Sequence, residues 1–166
     1  MTPTSAAGNL QPPDIRDRLR RDHELALAEL EALRRESDER RRDAMLRDTR
    51  RAWMIHTLAE ETVVYRALEG VESAGRPGSD AGRRFVEHEL IEGVFEKLAR
   101  RKSAASEWSA RLEIARSLVM RRVEAERDVL IPELAQRFDA ATLEEMARQF
   151  ESACAKLTVL EEAKVL

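Results

Sequence analysis

The chain's 166 residues suit one domain with a short appendage. A composition of 43% hydrophobic and 37% charged residues, with six Gly and five Pro, favours helices with one apolar and one charged face over strands. The net charge of −3 leaves no basic footprint for nucleic acid, and no apolar run approaches the ~18–20 residues of a membrane span.

Residues 1–13 carry neither the basic start nor the apolar stretch of a secretory signal, and they read as a disordered leader ending in Pro12-Pro13. The expectation is a soluble cytoplasmic protein. Helix one starts near Asp14 and runs to about Glu36, with Ile15, Leu19, His23, Ala26/Leu27, Leu30 and Leu33 on one stripe. Ser37-Asp38 breaks the run. Helix two runs from about Glu39 to Glu69, with Met45, Thr49, Trp53, His56, Glu60, Val63/Val64 and Ala67 inward and Gly70 as a stop signal. The stretch Ser73–Ser79 is the clearest loop, and Ser79 or Asp80 can cap the next helix.

Helix three carries Phe85, His88, Glu92, Phe95 and Leu98 on one stripe. A turn follows over Lys102–Ser106. Helix four carries Trp108, Leu112, Ala115, Val119, Arg122, Glu126 and Val129/Leu130, and Pro132 is expected to kink or end it. A fifth amphipathic helix follows Asp139, with Leu143, Met146, Phe150, Ala153/Cys154, Leu157 and Leu160 as its apolar positions. It has two uses open to it: packing outside the bundle, or a homodimer through pairing with another copy. The architecture is thus all-α: a leader over 1–13, an up-down-up-down four-helix bundle over 14–137, and a C-terminal amphipathic helix over 138–166.

All three histidines of the chain fall on these inward stripes, one per helix, at similar depth. His56 and Glu60 are four residues apart, so they face the same way, and His88 and Glu92 repeat that spacing. His23 joins from helix one and Glu126 from helix four. A lone histidine on an apolar stripe is usually a satisfied core residue. Buried imidazole and carboxylate together are costly unless paired or bound to metal. The set points to a metal site inside a bundle, of a chemistry suited to iron, manganese or zinc. Trp53 and Trp108 read as core. Tyr65 reads as packing, with a donor role to the site as the lesser alternative. The single cysteine, Cys154, cannot form an internal disulfide, and no Gly-rich phosphate loop, nucleophile elbow or CxxC is present.

The ordered motifs resemble the hemerythrin-like HHE cation-binding domain. They are Arg21-Asp22-His23-Glu24, His56-Thr-Leu-Ala-Glu60-Glu61 running on to Val64-Tyr65, Glu87-His88-Glu89-Leu90, and Glu126 followed by Leu130-Ile131-Pro132. The resemblance covers about residues 14 to 137. It implies a non-haem di-iron centre held by His23, His56, Glu60, His88 and Glu126, with Glu60 and Glu126 as the bridging pair. It also implies roles such as binding oxygen, sensing oxygen or nitric oxide, handling peroxide, or sensing or storing iron.

One position departs from the pattern. Arg122 stands in the fourth-helix histidine slot. A guanidinium keeps its proton and has no lone pair to offer. At 4 Å it repels a unit cation by about 4 kcal/mol even at an effective dielectric near 20. Three resolutions are open. Glu92 supplies the missing ligand while Arg122 swings aside to Glu124 or Glu61; or one metal sits on His23, His56, Glu60 and His88; or Arg122 pairs with Glu126 and Glu60 and replaces the metal.

The preferred expectation is a non-haem iron protein that binds or senses a small ligand such as O2 or NO, with one or two ions and an altered ligand set. The alternatives are a metal-free helical interaction module and a carboxylate-rich iron enzyme acting on peroxide. The residues favour a binding protein over an enzyme.

Overall fold

A computed structural model describes residues 13–72, 79–100 and 104–163, with the side chains of 71–72, 79–82 and 84–85 left aside. The leader apart from Pro13, the Ser73–Gly78 loop and residues 102–103 of the expected Lys102–Ser106 turn lie outside the described residues, as do the Phe85 side chain and the Ser79 and Asp80 side chains expected as caps, while Ala105 and Ser106 already belong to the next helix.

Every described element is helical. Helix α1 spans Ile15–Arg35 and α2 spans Glu39–Glu60. Asp14 caps α1 in a capping box with Asp17, and Asp38 caps α2 through the Arg41 N–H, so the break at Ser37-Asp38 falls where an acidic cap starts the next helix. A π-turn at Glu61–Tyr65 joins α2 to α3, Arg66–Glu72, as one rod. Gly70 does not stop this rod, which runs on two residues past it. Then come α4 (Ser79–Ala99) and α5 (Ala105–Ala125). A second π-turn at Glu126–Leu130 leads into α6 (Ile131–Arg137), and α7 spans Ala140–Ala163. Pro132 neither ends nor visibly breaks the rod. It follows the wide turn, in which the Ile131 N–H reaches back five residues to the Glu126 carbonyl, so the chain already departs from the α ladder where the proline lacks a donor.

Contacts run α1 to α2, α2 to α4, α4 to α5 and α5 back to α1, which closes a four-helix ring. Helix α7 lies across α1 and α2. Its Leu143, Met146 and Phe150 are buried, each burial being worth about 1.5–3 kcal/mol. The apolar face that raised pairing with a second copy is therefore largely used on the bundle, with Val159 and Leu160 left exposed.

The interior divides into two apolar clusters. One holds Leu30, Leu33, Leu46, Trp53, Ile91, Phe95, Leu112 and Val119. The other holds Ile15, Leu19, Val64, Tyr65, Leu68, Leu130, Leu134 and Phe150. On α1, the α2 rod and the α5 rod, the polar inward residues fall between these two sets: His23, then His56 and Glu60, then Arg122 and Glu126. A polar layer is sandwiched between two dry ones. Among the described residues, no helix is long and apolar enough to cross a membrane.

Candidate metal centre

The polar layer is buried throughout: His23, His56, Glu60, His88, Arg122 and Glu126 are each under a tenth exposed. Their helices place them there because each sits on the apolar stripe of its own element, at the depth where that stripe turns polar.

Two groups of donors converge. His23, His56 and Glu126 each bring one ligand atom, all within 4.8 Å of one another, and Glu60, His88 and Glu126 form a second such group. Glu126 belongs to both. His23 Nε2 and Glu126 Oε2 lie 2.7 Å apart, yet neither has a hydrogen-bond partner of regular geometry. His56 Nε2 and Glu60 Oε1 are also buried without a partner. A buried polar atom left unpaired costs about 1–3 kcal/mol. Arg122 Nε is a fifth such atom of the layer, and the other four are of the kinds that a cation binds. Donors about 2.0–2.2 Å from a single ion fall inside the observed separations.

The far side of two of the three imidazoles is engaged. His56 Nδ1 lies 3.2 Å from Asp22 Oδ2, and His88 Nδ1 lies 2.7 Å from Glu61 Oε1. A carboxylate accepts, so Nδ1 is the donor in both contacts, and Nε2 is the ring atom left to face the layer. Arg18 grips Asp22 in turn, at 2.9 and 3.0 Å. Burial pushes the Asp22 carboxyl up, but the hydrogen bond from His56 and the charges of His56 and Arg18 bring it below its ordinary value. Burial would lower His56, and the Asp22 hydrogen bond with the Glu60, Glu126 and Asp22 charges raises it overall.

Arg122 points into the layer. Its Nη2 is 3.4 Å from Glu60 Oε2, its Nε touches Glu126 Oε1, and its Nη1 is 3.8 Å from Glu87 Oε2. Tyr65 supports both neighbours, with its ring stacked on His88 at 6.1 Å and the Arg122 guanidinium 5.6 Å from its centre. The two carboxylates of the layer part company as a result. Burial and the nearby Glu126 charge raise Glu60 despite Arg122. Burial also pushes Glu126 up, but His23 at 2.7 Å and the charges of Arg122 and His56 outweigh it and hold it at about 2.

Among the six residues singled out in the sequence, His23, His56, Glu60, His88 and Glu126 are brought together. Glu92 is not. It sits at the half-exposed edge of its stripe, where Arg50 Nε takes its carboxylate at 2.9 Å. Arg122 does not swing to Glu124 or Glu61 either, since Glu61 is committed to His88.

Sequence reasoning missed Asp22, Glu61 and Glu87 as supports. Each directly neighbours a marked residue: His23, Glu60 or His88. One residue is a rotation of about 100°, which turns these side chains from the centre toward the adjoining helix.

The family model of the hemerythrin HHE cation-binding domain matches residues 14–134. The chain belongs to that family. No curated protein and no solved structure matches it. In this HHE domain the His23–His56–Glu126 group fits a cation by donor chemistry. The Glu60–His88–Glu126 group fits one less well, because Arg122 lies against both of its carboxylates. The α7 helix lies beyond the matched region, yet Phe150 meets the His56 ring at 5.6 Å. A cavity of about 410 Å³ between α1, α2 and α7 reaches Asp22, Trp53 and His56. Cys154 lines it, with its thiol pushed up to about 11 mainly by burial, which leaves it unreactive near neutrality.

Proposed function

We propose that this HHE domain holds a single non-haem iron ion between His23, His56 and Glu126, and serves to bind or sense a small ligand such as O2 or NO. The observation that carries the reading is the set of buried atoms without a regular hydrogen bond, His23 Nε2, His56 Nε2 and Glu126 Oε2, gathered in one group. Iron held there supplies an open coordination position for a diatomic ligand.

The chain's own residues do the rest. Asp22 orients His56, and Phe150 and Trp53 flank its ring. The two apolar clusters keep bulk water from the layer. Arg122 supplies positive charge to Glu60 and Glu126 that a second ion would otherwise provide. The cavity beside His56 supports access for a small ligand.

The test is metal analysis after anaerobic iron loading of the wild type and Arg122→His side by side, with His56→Ala as control. About one ion per wild-type chain, more in Arg122→His and less in His56→Ala is the expected pattern. A wild type that stays metal-free, or one that takes two ions, overturns it.

A second reading rests on Arg122 alone. Its contacts with Glu60, Glu87 and Glu126 neutralise the layer without metal, as a metal-free interaction module would require. That reading predicts a melting temperature unmoved by added iron, since a ligand of the folded state must raise it.

A further inference from the structure

On the side of the bundle away from α7, a cavity of about 210 Å³ opens between α4 and the α5 rod. Arg83, Glu87, Arg121, Arg122 and Glu126 supply its charged lining. Arg83 and Arg121 stand at the mouth, with side chains 68% and 65% exposed, whereas the Arg122 side chain is 3% exposed.

Among the described residues, Glu87 is the one carboxylate that meets all three guanidinium groups. Its Oε1 accepts from Arg83 Nε at 3.2 Å and from Arg121 Nη2 at 3.2 Å. Its Oε2 is 3.8 Å from Arg122 Nη1, too far for a hydrogen bond. Glu126, the other acid of the lining, is taken up by Arg122 Nε and His23. Three guanidinium groups, each with five N–H donors, thus share Glu60, Glu87 and Glu126, and Arg122 Nη1 has none of these three within hydrogen-bond reach. A buried guanidinium nitrogen left without a hydrogen bond, beside two exposed guanidinium groups at the mouth of the same pocket, is an arrangement that takes the oxygens of a tetrahedral anion.

We propose that this pocket binds a small inorganic oxyanion of the phosphate or sulfate class. The volume holds such an anion with several waters, at ~30 Å³ per water. The anion shares Arg83 and Arg121 with Glu87 and takes the Arg122 Nη1 that Glu87 does not reach. Glu87 is therefore the built-in competitor of the anion. The pocket shares Glu126 with the His23–His56–Glu126 group, but its arginine donors do not depend on metal being held there.

Calorimetric titration of the full-length protein with sodium sulfate, against sodium chloride at matched ionic strength, tests this. The wild type should bind sulfate saturably. Arg83→Ser with Arg121→Ser, both exposed positions, should weaken binding about tenfold or more with helicity unchanged. Glu87→Gln should tighten it, because the competing charge is gone. His56→Ala should leave it as it is. A wild type without saturable binding, a double-arginine variant that binds as tightly as wild type, or a Glu87→Gln that binds more weakly overturns the proposal. Loss of sulfate binding in His56→Ala with retention in the arginine variant would place the anion at the histidine site instead and overturn it equally.

Discussion

Asp22 on α1 holds His56 on α2, with Oδ2 3.2 Å from Nδ1. The same handoff repeats around the bundle. Glu61 at the end of α2 holds His88 on α4 at 2.7 Å, and Glu87 on α4 faces Arg122 on α5 at 3.8 Å. Glu126 closes the circle onto His23 of α1 at 2.7 Å. In its first three steps, the helix carrying an inward site residue also carries, one position away, a carboxylate for the next helix. The inner residues are thereby oriented from outside rather than from above or below, where only apolar layers lie.

Removing the first of these supports tests the arrangement. Asp22→Ala leaves His56 free to turn and to carry its proton on either nitrogen. Loss of such a carboxylate partner costs about 10–100-fold in metal affinity. Competition with a chelator should show that loss, with Asp22→Asn intermediate because its amide oxygen still accepts. Equal affinities in all three proteins would rule out the orienting role.

Arg122→Met addresses the charge balance of the layer. In metal-free protein it strands Glu60 and Glu126 in an interior where both are at most 2% exposed. Breaking one side of a buried ion pair costs about 3–5 kcal/mol. Urea unfolding should register that loss, and iron should restore more stability to the variant than to the wild type. A loss below about 1 kcal/mol would mean that the carboxylates do not rely on Arg122.

The pH dependence follows from Glu126. Its value of about 2 lies below the ordinary 4.5, so its contribution is present above pH 4.5 and is lost as pH falls toward 2. Glu60 is raised, so its sign is opposite: its contribution is full below 4.5 and is lost as pH rises through its folded value. In metal-free protein, Glu126→Gln should therefore lose stability less steeply than wild type between pH 4.5 and 2. Parallel curves from unfolding at each pH would contradict the low value.

Much of the layer was legible in the sequence because the helical period fixes direction. His23, His56, Glu60, Arg122 and Glu126 share stripes with Leu19, Trp53, Val119 and Leu130, and burial followed. Glu92 shares its spacing with His88 but not its depth, and a neighbouring arginine decided its fate. Asp22, Glu61 and Glu87 were hidden because on a single helix they look like edge positions. Only the adjoining helix makes them interior. The two π-turns were equally hidden. Each begins at or just after a marked glutamate, Glu60 or Glu126, and nothing in local propensity distinguishes five wide-turn residues from five helical ones. Gly70 and Pro132 misled for the same reason, since tertiary packing carried both rods past them.

The packing of α7 carries the last prediction. Phe150 is fully buried, meets the His56 ring at 5.6 Å and lies under the Arg18 guanidinium at 5.5 Å. Arg18 is the residue that grips Asp22, so one side chain of α7 braces both members of the Asp22–His56 pair. Phe150→Ala should cost about 3–5 kcal/mol through the cavity it leaves. It should also weaken iron binding, whereas Leu143→Ala, in the same helix and apolar cluster, should cost stability alone. Chelator competition beside urea unfolding separates the two effects. If both variants lose stability and neither loses iron affinity, α7 is only a cover for the bundle. A drop confined to Phe150→Ala makes the helix beyond the family's matched region part of what positions its histidine.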